Sequence, residues 1–155
     1  MEEVIKEIVR DLKDDTNLFH LFEESELEKI APYFERAKYP AGTPVFKEGD
    51  EEDYIAFVKS GRVEIKKETE FQGKQIVLAK MGRGSCLGEL ALFDQQPRSA
   101  TVEALEDTEL LTLDRKAMDK FIEDYPALGI KILKGLSRTL SLRLRQAADR
   151  LVVIF

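Results

Sequence analysis

Cysteine, histidine and tryptophan are almost missing from this sequence. Its 155 residues include one cysteine, one histidine and no tryptophan. A single cysteine excludes an internal disulfide and an iron–sulfur cluster held by one chain. The sequence also shows no Ser–His–Asp or Cys–His set, no metal-ligand spacing and no Walker-type phosphate loop. We therefore predict that the protein is not an enzyme and that it holds no metal.

Long apolar runs and an N-terminal signal are absent as well. No stretch reaches the roughly 18 apolar residues that a membrane span requires. The first residues, MEEVIKEIVRDL, are acidic where a secretory signal is basic. We therefore expect a cytoplasmic protein that does not engage a membrane. Its length fits one ordinary domain, and a content of 43% hydrophobic and 35% charged residues is typical of a soluble globular protein.

Basic residues are few in the first part of the chain and concentrated near its end. Residues 1–60 contain 16 acidic and 8 basic side chains, a net charge of −8, whereas residues 126–150 contain 6 basic and 1 acidic, a net charge of +5. Nucleic-acid binding requires a basic surface that neutralises phosphates. The acidic balance of the whole chain, −6 at pH 7, therefore argues against direct DNA binding. We interpret the basic segment as a solvated helix face.

Short β-rich runs separated by glycine or proline dominate the middle of the chain. They are PVF (44–46), YIAFV (54–58), RVEIKK (62–67), QIVLAK (75–80), ATVEAL (100–105) and ELLTL (109–113). This pattern favours an all-β sandwich or a barrel-like roll, and apolar residues at helical spacing precede and follow it. We predict a single domain over residues 1–155, which is mainly β with flanking α. Its parts are N-terminal helices (1–38), a β-roll (39–113) and C-terminal helices (114–155).

The last helix carries a regular series of apolar residues. We expect it to begin near Pro126. The series recurs at spacings of 3, 4, 4, 3 and 4, close to a heptad seam. Its members are Leu133, Leu136, Leu140, Leu144, Ala147 and Leu151. Such a seam fits either a homodimer contact or the ordinary core of one chain.

The segment GSCLGELALFDQQPRSATVEA, residues 84–104, carries the most specific signal in the chain. Gly88 permits a positive φ or a close backbone approach, and residues 89–92 indicate one helical turn whose N-terminal amides favour an anion. Arg98 can grip phosphate oxygens with two parallel hydrogen bonds, and Ser99 adds a hydroxyl donor. A carboxylate would repel the anion itself, so Glu89 must serve another part of the ligand. It can accept a hydrogen bond from a ribose hydroxyl. The segment therefore indicates a ligand with both sugar and phosphate.

These residues resemble the phosphate-binding cassette of the cyclic nucleotide-binding domain family, which includes bacterial catabolite activators, kinase regulatory subunits and gated channels. The family pattern is roughly F-G-E-[LIV]-A-L, followed by P-R-[AST]-A-[ST]-V. This chain has LGELAL at 87–92 and PRSATV at 97–102. The likeness covers about residues 18–150. It implies a β-roll or jelly roll (a double-stranded β-helix) of about eight strands, with N-terminal helices and a long C-terminal helix.

The resemblance implies how the cyclic phosphate is held. Arg98 would pair with the phosphate, and Ser99 would complete the cradle together with the backbone amides of Leu90 and Ala91. Ala100 follows in the same motif and is counted with the ligand-binding residues.

The resemblance also implies contacts for the ribose and the base. Glu89 would hold the ribose 2′-hydroxyl, and Gly88 would allow the close approach of the backbone. The strands around Val77 and Leu87 would form an apolar floor for the base. The base would then lie against the final helix, where Arg143 is found.

Two departures from the family pattern concern the base. Leu87 replaces the usual aromatic residue, and the final helix lacks the Thr-Ser pair with which catabolite activators contact adenine. We hypothesise that Arg143 reaches or caps the purine instead; the alternative is a solvated arginine. Ser99 accompanies either nucleotide in different branches of the family. We favour cAMP over cGMP because a lone bacterial-type β-roll resembles the cAMP branch.

The implied function is a cyclic-nucleotide sensor that relays ligand binding through its C-terminal helix to a homodimer or a protein partner. Catabolite-activator-like domains pair through this helix, which favours the homodimer. Their chains continue into a helix-turn-helix, whereas this sequence ends at Phe155. A stand-alone sensor and a regulatory piece of a transcription factor, channel or kinase subunit therefore both stay open.

Two further alternatives concern the site itself. The β-roll is a vestigial interaction module if Glu89 and Arg98 form only a structural ion pair. Cys86, which lies just before the cassette, is either an inert buried thiol or a haem ligand.

Overall fold

The computed structural model of the protein describes residues 2–15, 18–19, 21–71, 73–88 and 93–154. The helices are α1 (Glu2–Asp15), α2 (Glu24–Ile30), a 3₁₀ turn (Ala31–Tyr33), α3 (Arg115–Asp124) and α4 (Pro126–Ile154). The strands are β1 (Glu35–Tyr39), β2 (Pro44–Phe46), β3 (Tyr54–Ser60), β4 (Val63–Glu68), β5 (Gln75–Met81), β6 (Cys86–Leu87), β7 (Thr101–Ala104) and β8 (Thr108–Asp114). This order of elements confirms the predicted fold class.

The strands form two four-stranded antiparallel sheets. Their orders are β1-β8-β3-β6 and β2-β7-β4-β5. Strands from opposite ends of the β segment pair with each other, β1 with β8 and β2 with β7. This pairing winds the chain into a roll, whereas β4 and β5 form a local hairpin. The predicted β-roll is therefore confirmed.

The roll begins at Glu35, ahead of the boundary expected at Tyr39. β1 pairs with β8 along its whole length, from Glu35 opposite Thr112 to Tyr39 opposite Thr108. Its sequence, ERAKY, contains no β-branched residue, and most of the strand is exposed. An edge strand needs little apolar content because one side of it faces solvent. That composition explains why the sequence pattern does not reveal it.

Two apolar cores hold the roll and its helices together. The inner core lies between the sheets and is formed by Val45, Phe46, Ala56, Val58, Val63, Leu87, Val102 and Leu110. The outer core packs the helices against the β1-β8-β3-β6 sheet, where the ring of Phe19 lies 5.4 Å from that of Phe57. Successive strand residues face opposite sides, so Cys86 enters the outer core and Leu87 the inner one. The Cys86 thiol is accordingly buried.

Helix α4 runs from the outer core towards solvent. Leu136 is 2% exposed and packs in the outer core of the chain itself, as the core alternative for this series allows. A residue three positions after Leu133 is rotated by about 60° around a helix, enough to turn it from one face to the next. Leu144 and Leu151, which follow Leu136 in the series, are 72% and 56% exposed. Among the described residues, no helix is both long and apolar enough to cross a bilayer.

A cluster of ion pairs ties α1 to the roll. Lys59 Nζ on β3 lies 2.8 Å from Glu7 and 3.4 Å from Asp11, both on α1, and 3.5 Å from Glu109 on β8. Arg36 on β1 lies 2.6 Å from Glu7 Oε2. Hydrogen bonds from Lys59 and Arg36 lower the pKa of Glu7 to about 2. The cluster therefore stabilises α1 on the roll as long as Glu7 is ionised.

Replacing Glu7 with glutamine is expected to flatten the acid dependence of stability. A carboxyl whose pKa falls from 4.5 to about 2 on folding stabilises the fold above pH 4.5, and the stabilisation is lost as the pH falls towards 2. The wild type should therefore lose more free energy of unfolding between about pH 5 and about pH 3 than Glu7→Gln does. Urea unfolding at the two pH values measures this, with Glu3→Gln on the same helix as the control. Equal losses in wild type and Glu7→Gln would contradict the role of Glu7.

Candidate functional site

The main chain of Arg98 is fixed against the turn between β2 and β3. Its amide donates to the carbonyl of Asp50 over 2.8 Å, and its carbonyl accepts from the amide of Gly49 over 2.8 Å. These two bonds form a short ladder between the turn and the segment that precedes β7. They direct the side chain of Arg98 into the interior, where it is only 3% exposed.

The guanidinium of Arg98 is held by two carbonyls and two aromatic rings. Nη1 donates to the carbonyl of Gly88 (3.0 Å), and Nη2 donates to that of Tyr54 (2.9 Å). Its central carbon lies 4.1 Å from the centre of the Phe46 ring and 4.5 Å from that of Tyr54. These are cation–π distances. The cation is therefore oriented by the protein itself.

The positive charge of Arg98 lacks a counterion among the described residues. No carboxylate in those ranges lies within ion-pair distance of it, and its buried Nε has no hydrogen-bond partner there. Burial lowers the pKa of Arg98 from its ordinary value, yet a guanidinium stays protonated. A buried charge is costly unless it is paired. An anion with the geometry of a phosphate would supply the missing pair.

Gly88 brings the backbone into contact with this cation. Its φ is +76°, in the left-handed region that favours glycine. A Cβ built at this position would collide with Arg98 Nη1 and would lie 3.0 Å from the carbonyl oxygen of Tyr54. The close approach expected at Gly88 is therefore present, and it is made to Arg98.

An open cleft lies over the guanidinium. The predicted site residues that line it are Leu87, Gly88, Arg98, Ser99, Ala100 and Arg143. Ile65 and Val102 add an apolar wall from the β2-β7-β4-β5 sheet. The fold thus assembles a cation and an apolar surface around one opening.

Arg143 reaches this cleft from α4. Its Nη2 donates to the backbone carbonyl of Cys86 on β6 over 2.7 Å. The side chain therefore bridges the final helix and the roll at the edge of the cleft. This bridging position differs from that of a purely solvated arginine.

Val77 lies outside the lining of this cleft. A β-bulge between Ile65 and Lys66 places Val77 opposite Lys66, whose Nζ lies 3.3 Å from Glu103 on the outer face of the sheet. Cross-strand partners share a face, so Val77 is on that outer face and is 52% exposed. Of the two neighbouring strands β4 and β5, it is β4 that lines the cleft, through Ile65. Val77 is therefore not part of the floor of this cleft.

Three predicted residues, Glu89, Leu90 and Ala91, lie outside the described residues, so their roles stay predictions. The two rings that hold Arg98 were not predicted from the sequence. Phe46 ends one predicted strand and Tyr54 begins the next. The sequence does show an aromatic residue on each side of an acidic turn, and this pattern could have indicated that two rings lie close together there.

Comparison with known proteins places this geometry in a family. Residues 36–125 match the family model described as "Cyclic nucleotide-binding domain". The Cyclic AMP receptor protein of Thermus thermophilus is 38% identical over 133 residues, which cover 84% of this chain and 58% of that protein. The chain thus spans less than two thirds of the length of this relative.

Solved structures agree in fold. A cyclic nucleotide-binding domain from Methylobacillus flagellatus superposes with a TM-score of 0.85 at 28% identity, covering 99% of this chain and 85% of that one. The catabolite activator protein of Thermus thermophilus gives a TM-score of 0.79 at 36% identity, covering 88% and 62%. Because the family model and the relatives match this chain, and the cleft agrees with them, the chain belongs to the cyclic nucleotide-binding domain family.

Proposed function

We propose that the chain senses cyclic AMP by binding it in the cleft over Arg98. The supporting observation is the buried guanidinium, which has no counterion among the described residues. The cyclic phosphate, a monoanion, would pair with it. The choice of base is supported by the relatives, since one is a cyclic AMP receptor protein and another, from Mycobacterium tuberculosis, is a CRP-like cAMP-activated regulator at 28% identity.

Within this proposal, different residues of the cassette contact the phosphate and the ribose of the ligand. Arg98 and Ser99 hold the phosphate with the amides of Leu90 and Ala91, and Glu89 accepts from the ribose hydroxyl. The base lies against the apolar wall of the cleft and under Arg143 on α4.

The signal is proposed to leave the site through α4. Arg143 bridges α4 and β6, so a ligand beneath it alters how the two elements are held together. A ligand shifts the position of the helix only by the difference in its affinity for the two arrangements. Contact with Arg143 supplies such a difference, because the arginine belongs to the helix and the phosphate site belongs to the roll.

Isothermal titration of ligand-free protein with cAMP and cGMP tests the proposed function. We expect cAMP to bind with a Kd of about 1 µM or below, equivalent to about 8 kcal/mol, and cGMP to bind more weakly. Adenosine, which lacks the phosphate, serves as the control ligand. The absence of heat with both nucleotides would contradict the proposal and favour a vestigial β-roll. Tighter binding of cGMP would reverse the choice of base.

Replacing Arg143 with alanine is expected to weaken cAMP binding by about tenfold, because one contact to the base and the bridge to Cys86 are lost. Arg145→Ala is the matched control, since Arg145 is an exposed arginine of the same helix. Titration calorimetry on both variants gives the comparison. If Arg143→Ala binds cAMP as tightly as the wild type does, Arg143 is no part of the site.

We further propose that the chain forms a homodimer through the seam of α4. Leu144 and Leu151 are exposed large apolar side chains that the described part of the chain does not cover. They are seven residues apart, about two turns, and so lie on one side of the helix. A heptad-like spacing fits a second copy of the same helix.

A charge in the seam is expected to convert the dimer into a monomer. Leu144→Glu would place two carboxylates in the paired interface, where burial of unpaired charge is unfavourable. Light scattering coupled to gel filtration reports the mass. Leu142→Glu, which changes a leucine that is 55% exposed two positions away, is expected to leave the dimer intact. A monomeric wild type would exclude the seam as a stable interface.

A further inference from the structure

An apolar groove lies between α4 and the segment that leads into α2, away from the nucleotide cleft. Leu18, Leu21 and Phe22 form one wall, and the other wall is the α4 face that ends at Leu142. Leu21 is 60% exposed and Leu142 is 55% exposed. Two large apolar side chains are thus presented to solvent across one depression, a feature typical of an interaction site.

The groove is preformed because its two walls pack closely at their base. Leu18 is 8% exposed and lies directly over Gly135, where an added Cβ would collide with Leu18 Cδ1. Lys131 lies 4.7 Å from the centre of the Phe22 ring and 2.9 Å from Glu26. These contacts hold the wall against α4 without any partner.

The rim of the groove is basic. Lys134 and Arg138 line it, both are exposed, and neither forms an ion pair or a side-chain hydrogen bond with a described residue. They are four positions apart on α4, a spacing at which like charges repel. Carboxylates placed between or beside them would therefore be attracted to the rim.

We propose that this groove binds an acidic amphipathic helix of a partner protein. Apolar side chains at helical spacing would fill the space between Leu21 and Leu142, and flanking carboxylates would pair with Lys134 and Arg138. The α4 face from Lys131 to Leu142 is about 17 Å long, which matches about three turns of a docked helix. A concave groove with apolar walls fits a helix better than it fits the plane of a bilayer.

This groove is separate from the seam of α4. Leu142 follows Leu133 by nine positions, which places it on the opposite side of an α-helix. A partner could therefore occupy the groove while a second copy of the chain occupies the seam. The proposal goes beyond nucleotide sensing and does not depend on it.

The test uses a synthetic helical peptide as the probe. The peptide has about 16 residues, leucines at positions i, i+3 and i+7, glutamates on both flanks and a fluorescent label. Its control has lysines in place of the glutamates. Fluorescence anisotropy with the full chain, without nucleotide, is expected to give a Kd in the micromolar range for the acidic peptide, with affinity falling as salt rises. The lysine peptide is expected to bind at least about tenfold more weakly.

Matched variants locate the binding surface. Lys134→Glu/Arg138→Glu and, separately, Leu142→Ser are each expected to weaken binding about tenfold or more. Lys80→Glu/Lys116→Glu makes the same change in net charge at exposed sites outside the groove and is expected to bind as the wild type does. Equal affinity for both peptides, or equal losses in both double variants, would overturn the proposal. A third outcome would also overturn the proposal. If the chain binds vesicles of anionic lipid but not the peptide, and Lys134→Glu/Arg138→Glu abolishes the vesicle binding, the groove faces a membrane surface instead.

Discussion

Arg98→Met is expected to abolish measurable binding of cAMP while the chain stays folded. Hydrogen bonds to a charged group contribute about 1.5–3 kcal/mol each, so the loss of two to a phosphate corresponds to roughly 10²–10⁴-fold in Kd. In the unliganded protein, Arg98→Met removes a buried charge that forms no ion pair with a described residue, but it also leaves the carbonyls of Gly88 and Tyr54 without this donor. We therefore expect the free energy of unfolding to fall by about 1–3 kcal/mol, which is less than the stability of a typical domain.

Two readouts separate binding from folding in this experiment. Titration with cAMP reports the site, and urea unfolding without ligand reports stability. Arg98→Lys keeps the charge but loses the planar fork, so an intermediate loss of affinity is expected. Arg10→Met, at an exposed arginine of α1, is the control and should bind normally. Retention of wild-type affinity by Arg98→Met would show that the nucleotide binds elsewhere.

Gly88→Ala is expected to damage both the site and the fold. The new Cβ would collide with Arg98 Nη1 and press on the Tyr54 carbonyl, so the guanidinium must move from its place over the cleft. The left-handed conformation, with φ at +76°, adds a cost of about 1–2 kcal/mol for a residue with a side chain. We expect cAMP affinity to fall about a hundredfold or more, since the phosphate contact is lost with the position of Arg98.

Gly42→Ala separates the collision from the backbone strain. Gly42 has a φ of +84°, close to that of Gly88, but a Cβ there would meet nothing within 4 Å. This control should therefore show the loss of stability that comes from positive φ, with cAMP binding unchanged. If Gly88→Ala behaves like Gly42→Ala in both assays, the contact between Gly88 and Arg98 is unimportant for the site.

The meeting of Gly88, Arg98 and Ser99 at one cleft could be predicted from the sequence because these residues belong to one short segment. Gly88, Arg98 and Ser99 lie within twelve positions, and their residue types restrict what backbone and charge can do there. The contacts of the Phe46 and Tyr54 rings with Arg98 could not be predicted, because they form only when strands that are far apart in the sequence pair with each other. Such contacts depend on topology, which local spacing does not encode.

The pairing register of β4 and β5 explains why Val77 was predicted on the wrong face. Val77 was expected on the floor of the site, but the bulge between Ile65 and Lys66 decides which face it occupies. A shift of one residue exchanges the two faces of a strand, and no turn residue marks this bulge in the sequence. The place of Leu136 stayed open for a related reason, since spacings of three and four describe both a helix seam and the adjoining core face.

The buried cation would also let the proposed site discriminate against neutral nucleosides. Arg98 is 3% exposed, so its charge is already largely withdrawn from water before any ligand arrives. An anionic ligand would pair with this charge, whereas a neutral ligand would leave it unpaired. Adenosine has the same base and sugar as cAMP but lacks the anion, so it would make the contacts of the base and the ribose without that pairing. Discrimination between the two ligands would thus arise from one side chain.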